Sequence, residues 1–236
     1  MSSNNSLALL LDGPMQAWGH ASRFERRNTA SHPTRSALLG IIAAALGIDK
    51  HSPDEAEQLS RFGLLGITTV KLDKHDQKGR DLPIQFLNDY HTVTGIRRAS
   101  GKVDKTATVQ TYRQYLLDAR FAVLIDGPPP LLQEISLGLQ NPRWGTWLGR
   151  KCCIPSSPLL VAPPGPLSEV WASVLQFAGY VGTETMEMFD HVIEVGHSEK
   201  GAESIEDVPI AFGNPIGERH TPRWVRRIPK ESETNQ

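Results

Sequence analysis

Two stretches of the sequence decide the fold: LALLLDGP at residues 7–14 and TRSALLGIIAAALG at residues 34–47. The first is an apolar run that stops at an Asp-Gly-Pro turn signal, which predicts a buried strand followed by a turn. In the second, Thr34 is a good N-cap and Gly47 a good C-terminal cap, so the apolar residues between them predict a helix. A strand that leads through a polar loop into a helix is therefore the first unit of the fold.

Gly40 lies inside this predicted helix and weakens it relative to alanine, so we expect a close packing contact there. Working outward, further elements are predicted: strands at Leu65–Leu72, Phe121–Ile125 and His191–Val195, helices at Leu131–Leu139 and Ser168–Gly179, and one or two strands within 210–228. Residues 73–104 form a long polar excursion with weak periodicity, and Thr106–Tyr115 fits a strand or a helical turn. This order indicates an α+β protein of the βαββαβ type, an open antiparallel sheet with helices on one face.

The composition is that of a globular chain with enough residues for a sizeable core. Of 236 residues, 39% are hydrophobic and 22% are charged, which argues against disorder. No apolar run approaches the length of a membrane span, and the first six residues do not resemble a secretion signal. The two cysteines, Cys152 and Cys153, are neighbours and form no disulfide framework. We therefore expect a cytoplasmic protein without a membrane partner.

The formal net charge is only −1, but the charges are segregated. Residues 20–36 hold four arginines against one acid, residues 219–230 hold five basic residues and no acid, and residues 181–207 hold eight acids and one lysine. This segregation predicts basic faces on a nearly neutral molecule, although solvated surface charge would give the same pattern.

Signals for catalysis are weak. The eight histidines are scattered, and the sequence holds no CxxC pair, no phosphate-binding GxxxxGK motif and no GxGxxG, so we expect no metal and no cofactor. Asp89, Tyr90 and His91 have acid–base potential of the kind that a metal-independent ribonuclease uses. A core tyrosine beside a stacking histidine explains them better, because no second base or oxyanion donor can be placed. For the cysteine pair, a packing role is favoured over a reactive one.

Signals for RNA binding are stronger. Single-stranded RNA is held by cations along its phosphates and by aromatic or guanidinium planes under its bases. Trp18 stands in a polar, glycine-flanked loop and is followed by arginines, which fits such a site equally as well as a core lid. Arg35 in the first helical turn opposes the helix dipole unless it has a use, and the free N–H groups of that turn form an anion site. Arg150 and Lys151 follow Gly149 and offer further phosphate contacts.

Several motifs together carry a family resemblance. They are LDGPMQAWG at 11–19, PTRSALLG at 33–40 leading to LGI at 46–48, DYHTV at 89–93, QTYRQYL at 110–116 and LGRKC at 148–152. In this order they strongly resemble the CasD family, subunits of the type I-E CRISPR Cascade complex within the RAMP superfamily. The resemblance covers roughly residues 7–155; the C-terminal third, above all 181–207, matches less well.

The resemblance implies a ferredoxin-like (RRM-like) domain with a protruding thumb, which corresponds to about residues 74–112. Residues 1–155 would form this domain, and residues 156–236 would form a smaller, β-rich C-terminal extension packed on it. Family members cap the 5′ handle of the guide RNA beside the backbone and large subunits, and so meet target DNA indirectly. In type I-E systems this subunit does not cut RNA, whereas a related type I-C branch does, with a tyrosine–lysine–histidine set.

We therefore expect a non-catalytic RNA-binding subunit of an antiviral ribonucleoprotein complex. Residues and resemblance together predict these RNA contacts: Gln16, Trp18, Arg23, Arg26, Arg27, Arg35, Ser36, Tyr90, His91, Tyr112, Arg113, Arg150 and Lys151. No catalytic residue and no metal ligand is predicted. Two alternatives stay open: a metal-independent endoribonuclease that processes CRISPR repeat RNA, and a protein-interaction domain without RNA contact.

Incubation of the purified protein with CRISPR repeat RNA in EDTA separates the enzyme from the scaffold. We expect the RNA to stay intact on a denaturing gel, because the sequence places no second base or oxyanion donor beside Tyr90 and His91. Site-specific cleavage that is lost on His91→Ala would establish the endoribonuclease instead.

Overall fold

The computed structural model describes residues 5–20, 22, 25–75, 80–95, 101, 108–213 and 220–231. Its strands are β1 (Asn5–Asp12), β2 (Met15–Gln16), β3 (Arg26–Arg27), β4 (Gly66–Lys71), β5 (Lys74–His75), β6 (Asp81–Leu82), β7 (Gln85–Thr94), β8 (Thr108–Leu117), β9 (Arg120–Asp126), β10 (Leu160–Pro166), β11 (His191–Glu194), β12 (Glu203–Pro209) and β13 (His220–Ile228). Its α-helices are α1 (Arg35–Leu46), α2 (Glu55–Ser60), α3 (Pro129–Gln140) and α4 (Leu167–Ala178). Short 3-10 turns lie at Arg61–Leu64 and Met186–Met188.

Seven of the described strands form one sheet in the order β10-β1-β9-β4-β11-β13-β12, and every neighbouring pair is antiparallel. The predicted strand at 7–11 is β1, and it lies between β9 and β10. Its register with β9 pairs Leu9 with Val123. The predictions of an α+β protein and of an antiparallel sheet are confirmed.

The sheet is covered on both faces, so the prediction of helices on one face is wrong. Because side chains alternate along a strand, Leu7, Leu9 and Leu11 point to the face that α1 and α3 cover. Ala8 and Leu10 point to the other face, where Val170, Trp171, Val174 and Leu175 of α4 pack. A sheet whose strands are apolar on both sides, as β1 is, needs cover on both sides.

Helix α1 begins and ends as its cap residues predict. The Thr34 hydroxyl accepts a hydrogen bond from the Ala37 amide at 3.3 Å, and Gly47 adopts a left-handed conformation with φ 76°. The close packing contact expected at Gly40 is absent. A Cβ at Gly40 would meet the Phe212 ring at 3.7 Å, an ordinary contact, and this side of the helix faces a groove.

The acidic segment and the basic C-terminal segment are neighbours in the sheet and neutralise each other. Arg223 of β13 pairs with Glu194 of β11 and Asp207 of β12. Arg226 pairs with Glu199, and Arg227 pairs with Glu203. The basic face predicted from the C-terminal segment is therefore wrong for its described arginines, because antiparallel pairing sets each of them beside a carboxylate.

A buried ion network joins these C-terminal strands to the start of α1. Nη1 of Arg35 lies 2.5 Å from Glu194, which also accepts from Arg223 at 2.8 Å. Asp207 accepts from Arg223 and from the backbone amide of Arg35 at 2.7 Å. Nη2 of Arg35 donates to the carbonyl oxygens of Phe62 and Leu65. Four charged side chains thus interact where α1, β11, β12 and β13 meet, and in the described part of the chain Nε of Arg35 is left without a hydrogen-bond partner.

The weak periodicity predicted one long loop at residues 73–104, and this prediction is wrong. These residues include β5, β6 and β7, and β7 pairs along its whole length with β8, from Gln85↔Leu117 to Thr94↔Thr108. The 106–115 segment forms a strand over its described part rather than a helical turn. This hairpin belongs to a second sheet with β2 and β3, and most side chains of β7 are exposed.

Among the described residues, none of the helices has the length and apolar character needed to cross a membrane.

Replacement of Glu194 by glutamine tests the ion network. Glu194→Gln leaves the buried Arg35 guanidinium without a carboxylate partner among the described residues, so we expect the free energy of unfolding to fall by about 2 kcal/mol in urea titrations. The matched control is Glu199→Gln, which breaks an exposed pair and should change stability by at most about 0.5 kcal/mol. Equal effects of the two variants would contradict a special role for the network.

Candidate RNA interface

Arg26, Tyr90 and Tyr112 form an exposed cluster on the second sheet, which we call the arginine–tyrosine surface. The two tyrosine rings lie 5.4 Å apart between centroids, and the Arg26 guanidinium lies 5.5 Å from the Tyr112 centroid. Tyr90 is 52% exposed and Tyr112 is 44% exposed. Flat aromatic faces with an adjacent guanidinium are the groups on which unpaired bases stack.

Strand register brings these three residues together. Tyr90 of β7 lies directly opposite Tyr112 of β8, and Arg26 of β3 lies beside Tyr112 on the other side of β8, in parallel pairing. Because successive side chains alternate between faces, His91 and Arg113 point to the opposite face. Tyr90 and His91 therefore do not share one site, although they are adjacent in the sequence.

Other predicted contacts lie nearby. Arg27 and Lys151 are exposed, and among the described residues neither Arg26 nor Arg27 forms an ion pair with a carboxylate. Arg113 is half-buried and its Nε donates to the Thr111 hydroxyl at 3.1 Å. His91 is half-buried, and its carbonyl accepts from the same hydroxyl at 3.4 Å. Arg23, also a predicted contact, lies outside the described residues.

Trp18 and Gln16 are buried completely, so the structure contradicts their prediction as surface contacts. The Gln16 amide donates to the carbonyl oxygens of Leu11 and Ala119, at 2.9 and 2.7 Å. Its Oε1 accepts from the Trp18 indole at 3.1 Å. The alternative reading of Trp18 as a core residue is confirmed. Gln16 and Trp18 close the end of the hydrophobic core next to the second sheet, where β2 pairs with β8.

Arg35 is only 4% exposed, and its guanidinium donates to protein groups alone. The prediction that it contacts phosphate is therefore corrected: a buried cation needs a fixed carboxylate, and Glu194 supplies it. The predicted anion site at the start of α1 is also filled. Asp207 accepts from the Arg35 amide, and Thr34 accepts from the Ala37 amide.

Arg150 acts as a latch between three segments. Its Nη1 donates to the Gln114 carbonyl of β8 at 2.9 Å and its Nη2 to the Arg27 carbonyl of β3 at 2.8 Å. Its guanidinium also lies 4.5 Å from the Tyr115 centroid. Two of its five N–H donors are used in this way, so Arg150 positions the strands that carry the arginine–tyrosine surface.

Gly149 lets the Arg150 loop approach the first segment closely. Its φ is +93°, and a Cβ there would lie 1.8 Å from the Ala17 carbonyl oxygen, so only glycine fits. Next to this loop, burial raises the pKa of the Cys153 thiol to about 11. Cys153 therefore stays protonated at neutral pH and packs as a core residue, as favoured above, while Cys152 is exposed.

A groove of about 420 Å³ runs between α1 and the 145–150 loop. Ser36, another predicted contact, lines it, and its hydroxyl lies 3.1 Å from Nε2 of His220. Sequence reasoning missed the aromatic residues of the groove, Trp147 and Phe212. Trp147 lies in a polar loop next to a glycine, as Trp18 does. The criterion that selected Trp18 from the sequence could therefore also have selected Trp147.

The described residues contain no group of three or more histidine, cysteine or acidic side chains arranged to hold a metal ion. Fold and surface thus define a class of protein: an α+β sheet protein with an exposed aromatic and cationic hairpin beside a groove. A family model described as "CRISPR-associated protein (Cas_Cas5)" matches residues 6–226. The chain belongs to this CRISPR-associated Cas5 family.

Individual relatives agree with this assignment. The "CRISPR system Cascade subunit CasD" of Escherichia coli (strain K12) is 35% identical over 158 residues, which cover 66% of this chain and 69% of that protein. A chain of a solved "CRISPR RNA-guided surveillance complex" matches with a TM-score of 0.71 and 28% identity, over 95% of this chain and 90% of that chain. A "Crystal structure of Cas protein" matches with a TM-score of 0.59 and 26% identity, over 95% of each chain.

Arg150→Lys tests the latch. A lysine ammonium cannot donate in a planar fork to two separate carbonyl oxygens or stack on Tyr115 in the same way. We expect backbone amides of residues 111–116 to exchange about ten-fold faster or more by hydrogen–deuterium exchange, with the exchange of β1 unchanged. The control is Lys151→Arg at the exposed neighbouring position, which should leave both segments unchanged. Wild-type exchange in Arg150→Lys would contradict the latch.

Proposed function

We propose that this protein is a non-catalytic, guide-RNA-binding subunit of a CRISPR Cascade complex that caps the 5′ handle of the guide RNA in antiviral defence. The observation that carries the proposal is the match of the Cas5 family model to nearly the whole chain. The relative named as a Cascade subunit supports the complex. The arginine–tyrosine surface supplies chemistry that fits single-stranded RNA.

The charges of the molecule explain how RNA is held on one part of it. The described arginines of β13, together with Arg35, pair with carboxylates of the chain. Arg26, which lies beside the exposed Tyr112, and the exposed Arg27 and Lys151 remain for the phosphates. So few phosphate contacts give modest affinity alone, and the rest would come from assembly with the backbone and large subunits, through which the protein meets target DNA indirectly.

The finer fold that we propose is ferredoxin-like. The first four strands of the large sheet along the chain are β1, β4, β9 and β10. Numbered 1 to 4 in that order, they lie side by side in the spatial order 4-1-3-2, and a helix follows the first and the third of them. This order supports a βαββαβ unit. We assign the thumb to about residues 74–112, with the β7–β8 hairpin as its body, and propose that it enters a kink of the RNA next to a neighbouring subunit.

The domain division proposed from the resemblance is 1–155 and 156–236. In this division the second part supplies β10, the fourth strand of the βαββαβ unit, which pairs with β1, and it also packs on the first part through β11, which pairs with β4. We propose that this C-terminal extension acts as a brace for α1. We also place the protein in the cytoplasm, where its two free cysteines fit a reducing environment.

These residues support a role in binding RNA without a catalytic step. Tyr90 and His91 point to opposite faces of β7, and the Arg150 guanidinium is bonded to two carbonyl oxygens. Stacking and phosphate neutralisation are the contributions left to the exposed groups.

Two variants separate stacking from charge. Tyr112→Ala removes one face of the arginine–tyrosine surface, and we expect RNA affinity to fall about ten-fold with an unchanged salt dependence. The double variant Arg26→Gln, Arg27→Gln should lower the slope of log K against log salt by about 1.4, at about 0.7 for each lost phosphate contact. Both are measured by fluorescence anisotropy with handle RNA over a salt series.

The control is Arg61→Gln, an exposed arginine that pairs with Glu134 on the 3-10 turn before β4. It removes one charge elsewhere and should leave the affinity and the salt slope close to those of the wild type. If the control and the double variant bind alike, the arginine–tyrosine surface is not the RNA interface.

A further inference from the structure

The groove beside α1 has a floor that no other described element covers. Ala37, Gly40 and Ala44 follow one another at helical spacing along this side of α1, and all three are half-buried. Their small side chains leave the space of about 420 Å³. The opposite side of the helix packs into the core through Leu38, Leu39 and Ile42.

Two aromatic residues from separate loops line the groove, and both are held in place. Trp147 lies against the backbone of Gly145, where a Cβ would meet the indole ring at 2.4 Å. The amide of Phe212 donates to Glu55 at 2.7 Å, and Gly213 approaches the Lys50 carbonyl so closely that a Cβ would lie 1.5 Å away. The rings are therefore fixed before any ligand arrives, which lowers the cost of binding.

The polar groups of the groove suit a neutral, flat ligand better than a phosphate. Thr34, Ser36 and Thr146 supply hydroxyl groups, and Arg150 is the one charged residue of the lining. The Arg150 guanidinium keeps its charge but is held at the edge of the groove by bonds to the Gln114 and Arg27 carbonyl oxygens, so the rest of the lining is neutral. Hydroxyl groups both donate and accept, as the edge of a nucleobase requires.

The groove is continuous with the arginine–tyrosine surface. Arg150 lines the groove, and the strand whose carbonyl it binds, β3, carries Arg26 and Arg27, which pair with no carboxylate of the described residues. An RNA whose phosphates follow β3 therefore passes the mouth of the groove. A single base turned out of the strand is the part of the RNA that matches the aromatic rings and hydroxyl groups inside.

We propose that this groove is a binding slot for one unpaired nucleobase of the guide RNA, stacked on Trp147 or Phe212. The slot rests on the proposed function, since it requires that the arginine–tyrosine surface holds the RNA. It adds a second kind of contact, in which the protein reads one position of the RNA by shape and edge rather than by backbone charge.

The test uses the full chain and a series of handle RNAs, each with 2-aminopurine at one position. In the wild type, we expect fluorescence to be quenched most strongly at one position, because that base stacks on an aromatic ring. Ala37→Leu fills the floor of the slot, and Trp147→Leu removes one ring. Both should restore emission at that position and weaken RNA binding about five- to thirty-fold, with an unchanged salt slope.

The matched control is Ala56→Leu, the same substitution at an exposed position of α2, which should bind RNA as the wild type does. Equal quenching along the RNA, or wild-type quenching in both slot variants, overturns the slot. So do slot variants that bind RNA normally but fail to join the neighbouring subunits, because a protein side chain would then be the occupant. If RNA binding is lost in the Arg26→Gln, Arg27→Gln variant but kept in the slot variants, the proposed function stands without the slot. If the double variant also keeps its RNA binding, both the proposed function and the slot are overturned.

Discussion

The pairing of Arg35 with Glu194 is the constraint on which the rest of the structure depends. A guanidinium that is 4% exposed is tolerated only where carboxylates and carbonyl oxygens satisfy it. Satisfying Arg35 brings β11, β12 and β13 against the first turn of α1. The same network fills the amide groups of that turn, so the start of α1 is a structural joint and not an anion site.

A second consequence of this joint is the distribution of free charge. Once the C-terminal strands supply partners for one another and for Arg35, few cations remain without a carboxylate in the described residues. Those of β3 stand out because the short parallel pairing with β8 sets Arg26 beside two exposed tyrosines and Arg27 beside Arg113 on the opposite face. The hydrogen bonds of Arg150 to the Gln114 and Arg27 carbonyl oxygens hold β8 and β3 in this arrangement. Hence the described part of the molecule combines paired charges with a surface suited to RNA.

Local patterns in the sequence predicted the elements but not their partners. The strand at 7–11, the helix at 35–46 and its caps follow from residues within a few positions of each other, and all were confirmed. Trp18 and Arg35 were harder. The Trp18 indole is held by Gln16, whose amide bonds Ala119, and Arg35 is held by Glu194 and Asp207. Ala119, Glu194 and Asp207 are about 100 or more positions away in the sequence. The prediction of a basic face from the C-terminal segment was wrong for a similar reason. The antiparallel pairing between β12 and β13 joins distant residues and cannot be read from composition.

The two classes of ion pair respond differently to dissolved salt. Exposed charges more than about 10 Å apart hardly interact at 0.1 M ionic strength, whereas a pair enclosed by protein is screened much less. The contacts proposed to hold RNA lie outside, and those that hold the sheet to α1 lie inside. We therefore expect a salt concentration that releases the RNA to leave the Arg35 network, and with it the fold of the subunit, in place.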